Sequence, residues 1–198
     1  GMLDRTVFVF TSDHGDMLGS QGQQRKQRPW EESIHVPLLI RAPGQQAPGA
    51  KIDALINAWD LMPTLLGLLD IEIPPGVEGL DLSPALRGQP GTEPEATLIS
   101  LPVPFSEYRG KAWRGVRTRQ HTYVCTRDGP WLLYDNQADP CQLENLVEQP
   151  GHQPLRERLE FLLRAELQRL RDGFEEPETY LARWGHQVGK EHAIPIEN

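Results

Sequence analysis

Apolar positions along the chain fall into short runs and two longer periodic stretches, separated by segments rich in Pro, Gly and charge. The run Thr6-Val7-Phe8-Val9-Phe10 is wholly β-branched or aromatic. It predicts a strand buried on both faces, ended by a turn at Ser12-Asp13-His14-Gly15. A second run, Val36 to Arg41, predicts another core strand with the turn Ala42-Pro43-Gly44 behind it. Residues 54–71 predict a helix packed on that sheet, with Asp60 as N-cap, Pro63 in the first turn and Leu65, Leu66, Leu68 and Leu69 on its apolar face. From Pro74 to Pro104 the density of Pro, Gly and acidic residues predicts a long loop, relieved by one helical turn near Ser83-Pro84-Ala85-Leu86. Residues 113–118, 122–125 and 131–135 then alternate or run as short strands separated by turn signals, a small antiparallel meander. Leu155, Leu159, Leu162, Leu163, Leu167 and Leu170 recur at helical spacing with charges between them, an amphipathic helix ending near Gly173. The remaining stretch, 174–198, carries no pattern that places it.

Composition narrows the partners. There are 28 acidic and 20 basic side chains, a formal charge of -8, which argues against a nucleic-acid binder, whose affinity comes mainly from a basic face on phosphates. A small anion is still admissible, because a local cation or metal overcomes a mild overall repulsion. Cys125 and Cys141 are too few for a disulfide framework and lack zinc-ligand spacing; they either pair or stay free. No window of about 18 uninterrupted apolar residues occurs, so no membrane-spanning helix or other membrane attachment is expected. The N-terminus shows no signal-peptide pattern, which leaves the compartment open with the cytoplasm as default.

The chemistry-bearing residues sit directly after the first strand. At the carboxyl edge of an α/β sheet, strand-end loops form the crevice in which ligands bind. Asp13 offers a hard carboxylate oxygen and His14 a borderline imidazole nitrogen, both usable as metal ligands. Taken alone the pair reads more often as a hydrogen-bonded turn, and Lys26 as a solvated surface charge.

Their combination has more weight. Residues 10–44, FTSDHGDMLGSQGQQRKQRPWEESIHVPLLIRAPG, resemble the block S-D-H-G-D-x-L-G-x-H-G, K, Y-E-E-S-x-R-V-P-L-I-I-R-x-P-G that sulfatases of the alkaline phosphatase superfamily carry in their second half. DLMPTLLGLLDIEIPPGVEGLDLSPALRG, beginning at Asp60, is similar to that family's D-x-x-P-T-x-L-x-L-x-G-I segment and the loop after it. Residues from Trp113 to Leu146 resemble its closing R-x-V-R-T-x-x-Y-K-Y and L-Y-D-L-x-x-D-P-x-E-x-x-N-L motifs. The resemblance implies that Asp13 and His14 are two ligands of a divalent cation, calcium first, with manganese or magnesium as alternatives. It implies that Lys26 contacts an oxygen of the substrate's sulfate or phosphate group and takes part in catalysis. Metal and ammonium together would offset charge developing on the anion's oxygens.

The sequence departs from the pattern at Gln21, where many members have histidine, and at His35, where they often have arginine. Glu31 and Glu32 are candidate acids, although paired loop carboxylates more often act as structural acceptors. A larger departure is that no C/S-x-P-x-R segment, the family's source of its formylglycine nucleophile, occurs among the 198 residues, nor the family's Asp-Asp pair of metal ligands on a first strand. The resemblance therefore implies an α/β fold: an incomplete sulfatase-like sheet layer over residues 3–90, and a small antiparallel sheet with its covering helix and tail over 91–198. It implies hydrolysis of a small anionic sulfate ester, with the isolated chain expected to be inactive and an N-terminal half expected to precede it. A phosphodiesterase or phosphonate monoester hydrolase, and a non-catalytic truncated module, are the alternatives. Apolar strands left without that half are expected to drive self-association.

Overall fold

A computed structural model describes residues 1–43, 49–89, 93–106, 108, 110–189 and 193, so the Gly44 end of the turn after the second strand lies outside the described residues. The architecture is mixed α/β, as expected. It comprises a two-stranded ribbon, a four-stranded antiparallel sheet and helices.

The four-stranded sheet organises the molecule. Its strands β3 (Ala96–Leu101), β4 (Trp113–Thr118), β5 (His121–Thr126) and β6 (Gly129–Asp135) pair antiparallel in chain order. The last three match the expected meander, β4 with the expected bounds and β5 and β6 slightly longer. β3 corrects the reading of Pro74–Pro104 as a continuous loop. Its six residues lie between Pro94 and Pro102, and pairing along β4 from Ala96↔Thr118 to Leu101↔Trp113 brings them into the sheet. The one helical turn expected in that segment is present as α3 (Ser83–Leu86).

Both sheet faces are covered, which is why buried side chains follow one another along the strands and do not alternate with exposed ones. On one face Leu98, Val116, Tyr123 and Leu133 pack with Leu146, Val147 and the Leu159 and Leu163 side chains of α4 (Gln153–Arg169), the expected leucine helix. The opposite face, Leu101, Trp113, Val124, Leu132 and Tyr134, receives Trp30 and Ile34 from the segment that carries the candidate site. Trp30 meets Trp131 edge to face, with ring centroids 5.7 Å apart, and its Nε1 donates to the Tyr134 hydroxyl at 3.2 Å. The stretch beyond residue 174 contains a further helix, α5 (Pro177–Trp184), which starts on a proline and stops at left-handed Gly185. It buries Tyr180 beside Arg114 of β4.

The N-terminal strands correct the expectation of a doubly buried layer. β1 (Phe8–Thr11) starts two residues later than Thr6 and, among the described residues, pairs only with β2 (Leu38–Arg41), antiparallel. Phe8, Phe10 and Leu39 are 58%, 55% and 58% exposed. The apolar faces and outer edges on which the expected self-association depends are thus open. The helix expected over 54–71 is shorter: α2 spans Leu61–Leu68, after a 3-10 turn at Ala58–Asp60. Asp60 occupies the N-cap position of α2, as expected, but makes no side-chain cap bond there; its carboxylate instead completes a capping box with Asn57, the N-cap of the 3-10 turn. Asp60 is buried, and its carboxylate accepts from the backbone N–H of Asn57 and of Leu80, both at 2.8 Å. Left-handed Asp70 ends the helix, with the Ile71 N–H returning to the Leu66 carbonyl at 2.9 Å. Among the described residues no helix is long and apolar enough to cross a membrane.

Candidate functional site

The candidate site is built on the turn leaving β1. The Ser12 hydroxyl donates to the His14 carbonyl at 2.9 Å, and the His14 backbone N–H donates to Asp13 Oδ1 at 3.0 Å. Gly15 donates its N–H to the Ser33 carbonyl at 3.0 Å, and a Cβ there would overlap the Glu32 carbonyl. The turn is thereby seated directly on α1 (Glu31–Ile34), and only glycine allows that approach. Asp16 closes the next loop: its Oδ1 accepts from Leu18 and Arg25 backbone N–H, both at 3.0 Å. Met17, almost wholly buried, pairs its N–H with the Arg25 carbonyl.

That closure returns the chain to His14 at Lys26. Lys26 Nζ stands 2.9 Å from His14 Nε2, and Asp13 Oδ2 lies 3.5 Å from the same nitrogen. The other ring nitrogen, Nδ1, is 2.7 Å from the Gly15 carbonyl. A carbonyl can only accept, so Nδ1 carries a proton, and in the neutral tautomer this leaves the Nε2 lone pair facing Lys26. The three residues selected from sequence are therefore brought together, with the imidazole oriented by a backbone acceptor as metal-bound histidines usually are. Asp13 is exposed. Desolvation opposes ionisation, but the interactions with the His14 ring, the backbone N–H groups of the turn and the Lys26 ammonium together outweigh it and hold the carboxyl below its ordinary range.

This donor set fits a divalent cation in part. One ionised carboxylate oxygen and one available imidazole nitrogen face a common space. Among the described residues no group of three His, Cys, Asp or Glu is placed to hold a metal, so further ligands are not in this cluster. Cation and ammonium would compete for the same Nε2 lone pair.

The residues around this centre are mostly structural. Glu31 Oε1 accepts from Arg117 Nε at 2.8 Å, and its Oε2 lies 3.0 Å from His35 Nδ1. Glu32 accepts from the Ser20 hydroxyl. Both carboxylates hold the loop, the blander of their two readings. Gln21 donates to the carbonyls of Cys141 and Gln142, at 3.0 and 2.9 Å, stitching the loop to the segment after β6. Gln142 was not legible as important. It is buried, accepts from the Glu31 N–H at 3.0 Å and donates to Asn136 at 2.8 Å. No local pattern marks such a glutamine, since the site-loop partners it holds, Gln21 and Glu31, lie more than 100 positions away. Cys125 and Cys141 are both free.

The Glu31 cluster makes stability depend on pH. Burial pushes the Glu31 carboxyl up, but the bonds from His35 and Arg117 outweigh it and hold the group at about 2, against 4.5 unperturbed. Its stabilisation is complete above about pH 4.5 and is lost as pH falls toward 2. His35 shifts up through the Glu31 hydrogen bond, against its own burial, so its share is complete below pH 6.5 and fades as pH rises through the folded value. Glu31→Gln should therefore cost most near pH 5–6, on the order of 2 kcal/mol once residual solvent screening is allowed for. Thermal melts of both proteins from pH 2 to 9 check this, and a constant difference across that range would contradict it.

Comparison with known proteins adds independent findings. The family described as N-sulphoglucosamine sulphohydrolase, C-terminal, matches residues 19–171. An ulvan-active sulfatase of Formosa agariphila is 39% identical over 201 residues, covering 98% of this chain and 39% of that protein. Among solved structures, BT4656 in complex with its substrate D-glucosamine-2-N,6-O-disulfate superposes with a TM-score of 0.73 at 27% identity, over 87% of this chain and 36% of that one. A phosphonate monoester hydrolase from Silicibacter pomeroyi superposes with a TM-score of 0.72 at 28% identity, over 98% of this chain and 39% of that one. The chain thus spans between 36% and 39% of the length of these three proteins.

Proposed function

Because the chain belongs to the sulfatase family through its C-terminal region, we propose that it supplies one side of a metal-assisted site for hydrolysing small anionic sulfate esters. The observation that carries this reading is the convergence of Asp13, His14 and Lys26 at the end of β1. Asp13 and His14 would hold a divalent cation, calcium first, with manganese or magnesium as alternatives. Such a cation polarises the ester's oxygens when bound. Lys26 then presents its ammonium to an oxygen of the anion, since the His14 lone pair it meets in this structure would be engaged elsewhere. The Gly15 carbonyl keeps the ring facing the site, and the Asp16 bonds keep Lys26 at its rim.

The 198 residues contain no C/S-x-P-x-R segment, so the nucleophile has to come from outside them. The phosphonate monoester hydrolase likeness keeps that chemistry as a second reading, because the same metal and ammonium suit a phosphorus-centred anion.

Manganese titration of the 198-residue chain, followed by paramagnetic broadening of its NMR signals, tests the site. Broadening should centre on Asp13 and His14, disappear in Asp13→Ala, and report weak binding, because two protein ligands leave most of the coordination sphere to water. The same chain should leave p-nitrophenyl sulfate unhydrolysed. Broadening centred elsewhere, or submicromolar affinity with turnover by the isolated chain, would overturn the assignment.

A further inference from the structure

The site loop carries left-handed backbone at Leu18, Gln21, Arg25 and Gln27, none of them glycine, with φ between 48° and 71°, and Gln142 on the segment after β6 shares it at φ 53°. Residues of this kind cost on the order of 1 kcal/mol each and persist only where their surroundings hold them. Asp16 Oδ1 holds Leu18 and Arg25 through their N–H groups, and the Phe105 peptide holds Gln27 through two bonds to its side-chain amide, at 3.0 and 3.1 Å. Gln21 is held by Gln142. Its Nε2 donates to the Gln142 carbonyl at 2.9 Å and to the neighbouring Cys141 carbonyl at 3.0 Å.

What keeps those carbonyls in place is the Gln142 side chain, on a residue only 1% exposed. Its Nε2 donates to Asn136 Oδ1 at 2.8 Å and to Thr122 Oγ1 at 3.4 Å, and its Oε1 accepts the Glu31 N–H at 3.0 Å. Thr122 is wholly buried on β5, between β4 and β6, so this chain of bonds begins in the interior of the four-stranded sheet. From Gln21 it continues along the loop, where the Gly19 N–H meets the Gln23 carbonyl at 2.8 Å and the Met17 N–H meets the Arg25 carbonyl at 3.0 Å, next to Lys26. The Asp13–His14 turn rests instead on α1, which has anchors of its own in the packing of Trp30 and Ile34 and in the Glu31–Arg117 pair. Lys26 and the two candidate metal ligands are thus carried by separate supports.

Resting on the reading of Lys26 as the anion contact, we infer that Gln142 is a positioning residue for that reaction, acting through Gln21 to hold the Lys26 ammonium at a fixed place beside Asp13 and His14. A loop that is left-handed at several non-glycine positions relaxes when a support is removed, and a displacement of about 1 Å at a reacting centre costs up to about 10²-fold in rate.

Kinetics of the protein expressed from its complete reading frame, on p-nitrophenyl sulfate, decide the matter. Gln142→Met keeps the side-chain length and removes the amide; it should lower kcat about tenfold and leave KM within about twofold. In a Lys26→Ala background the same substitution should cost less than about twofold, since no ammonium is left to misplace. Gln21→Ala breaks the same path at the loop without opening the core, and it should show the same contrast even if Gln142→Met does not fold. A merely structural role would lower the melting temperature and reduce kcat by one factor in both backgrounds. That result, or a kcat within about twofold of wild type in Gln21→Ala, would overturn this inference and leave the site reading intact. Turnover within about threefold of wild type in Lys26→Ala itself would overturn both.

Discussion

Lys26→Ala is expected to lower kcat/KM for an aryl sulfate by about 10²–10³-fold in the protein expressed from its complete reading frame, the usual cost of removing one preorganised donor from a developing oxyanion. The ammonium reaches the site on a segment whose flanking residues are both left-handed and both held, so its position is set before substrate arrives. Preorganisation of this kind acts on the transition state, and the loss should appear chiefly in kcat. Lys26→Arg should recover little, because a planar fork does not place its donors where a compact ammonium does. Steady-state rates of the three proteins measure this. A fall of less than threefold in Lys26→Ala would mean that the ammonium serves only to satisfy His14.

Arg114→Met should destabilise the chain by about 3 kcal/mol, the low end of the cost of stripping one partner from a buried ion pair. Arg114 is the largest fully buried side chain and lies on β4. Its guanidinium engages both carboxylate oxygens of Asp172 and donates to the Tyr180 hydroxyl at 3.1 Å. Tyr180 itself donates to Asp172, which also accepts from the Phe174 N–H at 2.9 Å. The low end is chosen because the Asp172 side chain keeps 17% of its surface in water. Burial pushes the Asp172 carboxyl up, but Arg114 and Tyr180 outweigh this and hold it below its ordinary range. Its stabilisation is therefore present above about pH 4 and fades as pH falls. For a chain of this size the substitution should lower the melting temperature by about 6–12 °C. Adding Asp172→Asn to Arg114→Met should return part of the loss, because it removes the stranded charge. A loss below 1 kcal/mol by denaturant titration, or a purely additive double variant, would contradict the account.

These two sites differ in how far the sequence reveals them. The strand-turn signal before Ser12, the residues Asp13, His14 and Lys26, and the leucine spacing of α4 are local patterns. A period of 2 or 3.6, or a loop of a dozen residues, is written within one stretch of chain, and such signals survive into the fold. The sequence by itself determined the family, the composition of the site loop and the kind of element at most positions. Only the tertiary structure decided that β3 leaves its Pro-rich surroundings to pair with β4, and that β1 pairs antiparallel with β2 in the register Phe8↔Arg41. It alone decided that Arg114 is a buried charge and not a solvated strand residue, and that Gln21, Gln27 and Gln142 anchor the site loop to groups 78 to 121 positions away. The physical reason is the same in each case. A side chain's polarity is fixed along the chain, but whether it meets water or a partner depends on which distant surface packs against it.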